Sequence, residues 1–213
     1  PKILWELGAE VIPINVSPDG TNVNKNGGST NTTRLASVVK RNKADLGIAL
    51  DGDADRCILI DERGNLINGD LILAIIAKSW KNKNILKNNI VVGTSMSNSA
   101  LQEFLKKQNI RFIRTDVGDR NIIKEMKENN LVLGGEPSGH IILSNLCSSG
   151  DGLLASLEVL NIIKESGKKL SFFSTLFKSH PQVTKSFPIK KGVSAENILN
   201  NAEKDISILK KSF

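Results

Sequence analysis

The spacing of apolar positions along this chain changes repeatedly, and each change marks an element. Leu46–Leu50 is an unbroken apolar run and reads as a buried strand. Residues 57–60 read as a second strand, closed by a hairpin turn at Asp61-Glu62-Arg63-Gly64-Asn65. Upstream, residues 1–7 read as the end of a helix closed by Gly8, and residues 10–15 as a short strand. Ser17-Pro18-Asp19-Gly20 is turn chemistry, and Leu35, Val38 and Val39 share one face of a helix that Ser29 or Thr30 caps. Downstream, Asn68-Gly69-Asp70 opens a very apolar helix reaching about Trp80, with Asp70 as its cap. Strands follow over 90–92, 111–114, 131–133 and 140–143, and helices over 97–107 and 120–128. Another helix is capped by Asp151 and ended by Gly167, and a short one covers 170–178. Residues 183–189 read as a strand and Ser194 starts a basic helix. Strands alternating with helices predict α/β layering. A domain boundary falls near residue 68, with a separate core expected on each side.

With 213 residues the chain is long enough for two such cores. Hydrophobic residues at 39% and charged residues at 24% place it with soluble globular proteins. The longest strongly apolar run, 71–77, is far short of a membrane span. There is no signal peptide, and the first residue is Pro1 and not Met, so the chain reads as a piece of something longer. Cys57 and Cys147 are too few for a disulfide framework and lack metal-ligand spacing. Both are expected to be small core residues in a reducing compartment. The net charge of +7 is uneven, since residues 164–213 hold ten lysines against four acids. No aromatics interleave with those lysines, so they read as a solvated surface and not as a nucleic-acid site.

The chemistry concentrates where the first strand ends, at Asp51-Gly52-Asp53-Ala54-Asp55-Arg56. Three carboxylates at alternate positions repel one another unless a cation sits among them, and a hard divalent ion takes oxygen ligands. Gly52 and Ala54 are small enough for a tight turn. The spacing overlaps an EF-hand, with Glu62 at position 12. That loop, however, needs glycine where Arg56 stands and a helix where a strand precedes. A phosphatase-type loop with Asp51 as nucleophile, or a metal loop serving a phosphosugar enzyme, remain as readings.

Two further stretches bear on the choice. In Gly134-Gly135-Glu136-Pro137-Ser138-Gly139-His140, an extended backbone would project Glu136, Ser138 and His140 to one side, a set suited to sugar hydroxyls and phosphate. Thr115-Asp116-Val117-Gly118-Asp119-Arg120 lies at a strand-to-helix joint, where free N–H groups and Arg120 can bind an anion.

In this order and spacing, Asp51-Gly-Asp-Ala-Asp-Arg56, Val117-Gly-Asp-Arg120 and Gly135-Glu-Pro-Ser-Gly-His140 resemble the α-D-phosphohexomutase superfamily, and within it the bacterial phosphoglucosamine mutase branch. The resemblance implies two consecutive three-layer α/β/α domains with mixed sheets, followed by a truncated α+β piece. Residues 1–68 would be most of the family's second domain, 69–180 its third, and 181–213 the start of its fourth. It implies interconversion of glucosamine 6-phosphate and glucosamine 1-phosphate through a bisphosphorylated sugar, with an active-site phosphoserine. Asp51, Asp53 and Asp55 would hold Mg2+ and Arg56 would support the phosphoryl charge. Glu136 and Ser138 would grip sugar hydroxyls, His140 would sit by the sugar or its phosphate, and Gly118, Asp119 and Arg120 would belong to the substrate loop. Arg56 and His140 are the residues assigned to catalysis. The implied cofactors are Mg2+ and glucosamine 1,6-bisphosphate as activator and intermediate. The implied partners are a hexosamine phosphate, the missing first and fourth domains and, for the full-length enzyme, a second copy. Neither nucleic acid nor membrane is among them, and the setting is cytoplasmic.

The departures are specific. The family's Ala-Ser-His-Asn serine loop is missing, since Met96-Ser97-Asn98-Ser99 is a different motif at a helix start, and no Arg-x-Ser-Gly-Thr phosphate loop is present. The chain alone is therefore expected to be inactive. A phosphomannomutase/phosphoglucomutase of the same superfamily, or a non-catalytic module binding Mg2+ or a sugar phosphate, are the alternatives. Ala54 and Asp119 look like the glucosamine branch, because the mannose and glucose branch typically has Gly and His there.

Overall fold

The computed structural model describes residues 1–183 apart from Pro18 and Asn26, and beyond these Pro188, Ser194, Asn197, Ile198, Asn200, Ala202, Glu203, Asp205, Ser207 and Ile208. Two compact units result, Pro1–His180 and Pro181–Phe213. The expected strand over 183–189 lies mostly outside the described residues. In the second unit, the described positions from Asn197 to Ile208 are helical, and the Ser194 hydroxyl oxygen accepts from the Asn197 N–H at 3.1 Å.

The first unit opens with α1 (Lys2–Glu6) and, after an irregular stretch, α2 (Thr33–Asn42). Residues 10–15 form no strand. Alternation alone does not make a ladder, and no neighbouring strand pairs with them among the described residues. The cap of α2 is Thr32, not Ser29 or Thr30. Then β1 (Leu46–Leu50), β2 (Cys57–Asp61) and the short β3 (Leu66–Ile67) build an antiparallel sheet in the order β1-β2-β3. The hairpin turn is fixed by Asp61, buried beneath it, whose carboxylate accepts from the Arg63 and Asn65 N–H groups at 2.9 and 2.8 Å.

The chain continues through α3 (Gly69–Asn82), β4 (Ile90–Thr94), α4 (Ser99–Lys107), β5 (Arg111–Thr115), α5 (Asp119–Glu128), β6 (Leu133–Gly135), β7 (Ile141–Leu143), α6 (Gly152–Ser166) and α7 (Leu170–Phe173). The last helix is shorter than the expected 170–178. The second sheet runs β5-β4-β6-β7 and is mixed: β4 pairs in parallel with β5 and β6, and β7 is antiparallel to β6. Helix α5 covers one face through Ile122 and Met126, which pack on Val92 and Ile142. On the other face lie α3, α4 and α6.

Helix α3 is apolar around most of its circumference, which fits a helix walled in by others. Leu71 to Ala77 are all buried, and Trp80 donates its indole N–H to Glu158 of α6 at 2.7 Å. One apolar cluster runs from Cys57, Leu59 and Ile67 through α3 to Leu133, Ile141 and Val159. The two separate cores expected from the sequence are thus joined, because α3 and α6 pack against both sheets. Of the two cysteines, Cys57 is a core residue, its thiol pushed up to about 11 chiefly by burial, whereas Cys147 is half-buried beside Ser149.

The expected cap also changes. The side chain of Asn68, not Asp70, caps α3 by accepting from the Leu71 N–H at 3.1 Å. Asp70 points inward, only 1% exposed, and accepts from the Asn98 N–H at 2.8 Å. Asn98 in turn caps α4 through Ala100 and clips His180. Its Oδ1 accepts from the His180 N–H at 3.0 Å and its Nδ2 donates to the His180 carbonyl at 2.9 Å. The Met96-Ser97-Asn98-Ser99 motif is therefore a structural knot at the end of the first unit.

Two expected outcomes follow from this knot. Asn98→Ala removes a cap and a two-point clip, so it should cost about 1–3 kcal/mol in urea unfolding and speed amide exchange at His180. Burial raises the Asp70 carboxyl above the usual carboxylate range, against the lowering by the Asn98 N–H, Ser97 and Arg114. A carboxyl with a raised folded pKa holds its proton more tightly folded than unfolded, so stability falls as pH climbs through that interval. Asp70→Asn keeps an acceptor and removes the charge. Its stability relative to the unsubstituted protein should rise between about pH 4 and neutrality, measured as urea midpoints across that range.

Candidate active site

The aspartate loop leaves β1 and returns along β2, and its conformation is set from outside. Ala54 adopts φ +61°, a left-handed conformation that costs an L-residue about 1–2 kcal/mol. It is held there by its carbonyl, which accepts from the Gly152 N–H at 2.9 Å at the start of α6. The Cys57 N–H donates to the Gly139 carbonyl at 3.0 Å, and Arg56 and His140 form an antiparallel bridge. These approaches require glycine on the far side. A Cβ on Gly139 would lie 2.1 Å from the Cys57 carbonyl oxygen, and one on Gly152 would lie 2.5 Å from that of Arg56.

The loop brings one carboxylate oxygen from each of Asp51, Asp53 and Asp55 within 4.8 Å of one another. Asp53 is exposed and the other two are half-buried. The Asp51 carboxyl is raised above its ordinary range by burial and by the nearby Asp55 and Asp53, while the Arg56 N–H, donating to it at 3.2 Å, pulls the other way. The Arg56 guanidinium offers only long ion pairs, 3.7 Å to Asp51 and 3.8 Å to Asp55, with its side chain 45% exposed. Asp55 Oδ1 is buried without a hydrogen-bond partner among the described residues. Three crowded carboxylates, one with an orphaned oxygen, fit a hard divalent cation.

Residues 136–140 differ from expectation. They form a tight turn and not an extended segment, because the Gly139 N–H bonds back to the Glu136 carbonyl at 3.0 Å and the Glu136 N–H bonds to the His140 carbonyl at 2.9 Å. His140 consequently parts from the other two side chains. Ser138 stays with Glu136, its hydroxyl donating at 3.4 Å. His140 turns inward, its side chain 6% exposed and Nδ1 2.9 Å from Asp55 Oδ2. The turn rests on the start of α3, where the Gly69 N–H donates to the Pro137 carbonyl at 3.1 Å.

Glu136 also reaches the third motif, its Oε1 accepting from the Gly118 N–H at 3.1 Å. Gly118, at φ +123°, is the N-cap of α5, which begins one residue earlier than predicted, at Asp119. Asp119 and Arg120 are exposed in that first turn, and the Arg120 N–H donates to Asp119 Oδ1 at 2.8 Å. All three motifs thus form one connected wall, from Asp51 through Asp55, His140 and Glu136 to Gly118. Sequence reasoning missed Gly150 and Gly152. Gly150 lies flat against the His140 ring, where a Cβ would come within 2.4 Å of Cε1 and Nε2. The signal was the Gly150-Asp151-Gly152 run, a glycine on either side of the α6 cap where a cap needs none.

Comparisons with known proteins identify the chain's relatives. Residues 68–180 match the family described as phosphoglucomutase/phosphomannomutase, alpha/beta/alpha domain III, and residues 1–64 match its domain II. The phosphoglucosamine mutase of Bradyrhizobium diazoefficiens is 48% identical over 192 residues, which are 90% of this chain and 43% of that protein. That of Bartonella bacilliformis is 45% identical over 212 residues, 100% of this chain and 46% of its own length. The chain spans less than half the length of these relatives. Among solved structures, one from Thermus thermophilus assigned as a phosphomannomutase has a TM-score of 0.71 at 24% identity, covering 82% of this chain and 41% of that one. The N-acetylphosphoglucosamine mutase of Aspergillus fumigatus, solved with GlcNAc-6P and magnesium, has a TM-score of 0.55 at 20% identity, covering 78% and 39%. At such identities the structural likeness speaks for the fold, and the two domain matches speak for descent: the chain belongs to the phosphoglucomutase/phosphomannomutase family.

Proposed function

We propose that this chain is the central part of a phosphoglucosamine mutase, which interconverts glucosamine 6-phosphate and glucosamine 1-phosphate through a bisphosphorylated sugar. The observation that carries the reading is the closure of the Glu136–His140 turn onto the three-aspartate loop, on a chain whose relatives bear that name. Residues 1–68 and 69–180 are assigned to the family's second and third domains and 181–213 to the start of its fourth. The first domain and the rest of the fourth belong to the remainder of the protein, as do the serine and the phosphate loop.

Asp51, Asp53 and Asp55 are the residues to hold Mg2+. When bound, Mg2+ neutralises charge on a transferring phosphoryl group, which is most of what such chemistry requires. Arg56 adds a half-exposed guanidinium at the rim. Glu136 accepts from sugar hydroxyls, kept in orientation by the Gly118 N–H, and Ser138 beside it donates or accepts. Asp119 supplies a negative charge that a substrate ammonium would favour. Glucosamine 1,6-bisphosphate is the activator and intermediate, the site is cytoplasmic, and the full-length protein pairs with a second copy. No described helix is long and apolar enough to cross a membrane.

The decisive experiment is a coupled assay on the full-length protein with glucosamine 1-phosphate and glucose 1-phosphate. A kcat/KM well above that for glucose 1-phosphate is expected, and equal values would favour a phosphoglucomutase. Asp53→Asn should weaken Mg2+ binding to the 213-residue chain in calorimetry, and unchanged affinity would move the metal elsewhere. In the full-length protein, Glu136→Ala should lower kcat/KM by about tenfold or more, as expected for a charged hydrogen bond, while leaving Mg2+ affinity in place. The 213-residue chain alone should show only background turnover. It lacks the phosphoryl carrier and the anchor for the substrate's other phosphate, and such positioning is worth about 7–11 kcal/mol. Turnover above that of a chain with all three aspartates changed to alanine would relocate the chemistry.

A further inference from the structure

The His140 side chain makes one hydrogen bond to the aspartate loop. Its Nδ1 lies 2.9 Å from Asp55 Oδ2, and because an ionised carboxylate only accepts, the ring carries a proton on Nδ1. The ring cannot turn away. Gly150 is stacked against Cε1 and Nε2 with no room for a Cβ, and the backbone on either side of the ring is bonded to Glu136 and bridged to Arg56. The two oxygens of Asp55 are therefore unequal. Oδ2 is committed to the imidazole, whereas Oδ1, buried and without a hydrogen-bond partner among the described residues, has only the long 3.8 Å ion pair to Arg56 Nε and is the oxygen open to a cation. The same five-residue turn that fixes His140 also aims Glu136, whose Oε1 holds the Gly118 N–H.

We propose that His140 is a positioning residue for the metal loop. It locks Asp55 with Oδ1 towards the cation, so that divalent-ion binding by the aspartates and ordering of the 136–140 turn are one coupled equilibrium. The coupling is reciprocal: a turn held by His140 raises metal affinity, and a bound metal tightens the turn that presents Glu136. This rests on the reading of the aspartates as the metal site, and concerns which side chain beyond them sets the affinity.

The test is Mn2+ binding to the 213-residue chain, followed by electron paramagnetic resonance with Mg2+ as competitor. His140→Leu fills the ring's space without a donor, and His140→Asn keeps an N–H close to the position of Nδ1. Loss of a partner to a metal ligand lowers affinity by roughly 10–100-fold. That loss is expected for His140→Leu, with His140→Asn recovering most of it. In the unsubstituted protein, Mn2+ should slow amide exchange at Gly139 and His140, and in His140→Leu it should not. Mn2+ affinity in His140→Leu within twofold of the unsubstituted protein would overturn the proposal while leaving the metal site intact. A folded His140→Asn that binds as poorly as His140→Leu would overturn the role of the donor. No Mn2+ binding by the unsubstituted protein would overturn the metal reading, and the proposal with it.

Discussion

The close passage of two backbones over the aspartate loop is the constraint on which the site depends. Left to itself, a loop carrying three carboxylates would open to relieve their repulsion, and Ala54 would leave its left-handed conformation. Neither happens, because the loop is pinned by the Gly139 carbonyl on one side and the Gly152 N–H on the other. Both contacts are at van der Waals limits that only glycine allows. The like charges stay crowded because the backbone beneath them has nowhere to go. That is what preorganisation of a cation site means in physical terms.

The pinning works only if the two pinning segments are themselves rigid, and the shared core provides that. Gly152 opens α6, whose N-cap Asp151 accepts from the Leu154 N–H at 2.9 Å. The 136–140 turn rests on Gly69, the first residue of the most deeply buried helix. Glu62, just beyond β2, accepts from the Ser171 N–H at 3.2 Å, so the hairpin sheet is tied to α7 as well. Burying apolar surface across α3 and α6 thus fixes the aspartates relative to Glu136, although some eighty residues separate them in the chain. The mixed sheet contributes in a second way. Its parallel strands β4 and β5 are followed by helices on opposite faces, an arrangement that leaves a crevice at their carboxyl ends. The Gly118 loop leaves β5 at that edge.

Much is legible in the sequence because it is local. An apolar run followed by alternating acids can only be a strand running into a charged loop, and the period of the remaining segments identifies most helices and strands within a few residues. Asp151 and Gly167 are recognisable as cap and terminator because capping depends on neighbours three or four residues away. The failures share one cause. Asp70 reads as a cap because caps are often acidic, yet Asn98, twenty-eight residues away, claims it. Residues 10–15 alternate like a strand, but a strand needs a partner. Glu136, Ser138 and His140 point one way only if the backbone is extended, and a hydrogen bond between Gly139 and Glu136 folds it into a turn. The sequence by itself determined which residues could carry charge, turn tightly or bury apolar surface. The tertiary structure alone decided which of them meet, because contacts such as Asp55 with His140 depend on packing between segments far apart in the chain.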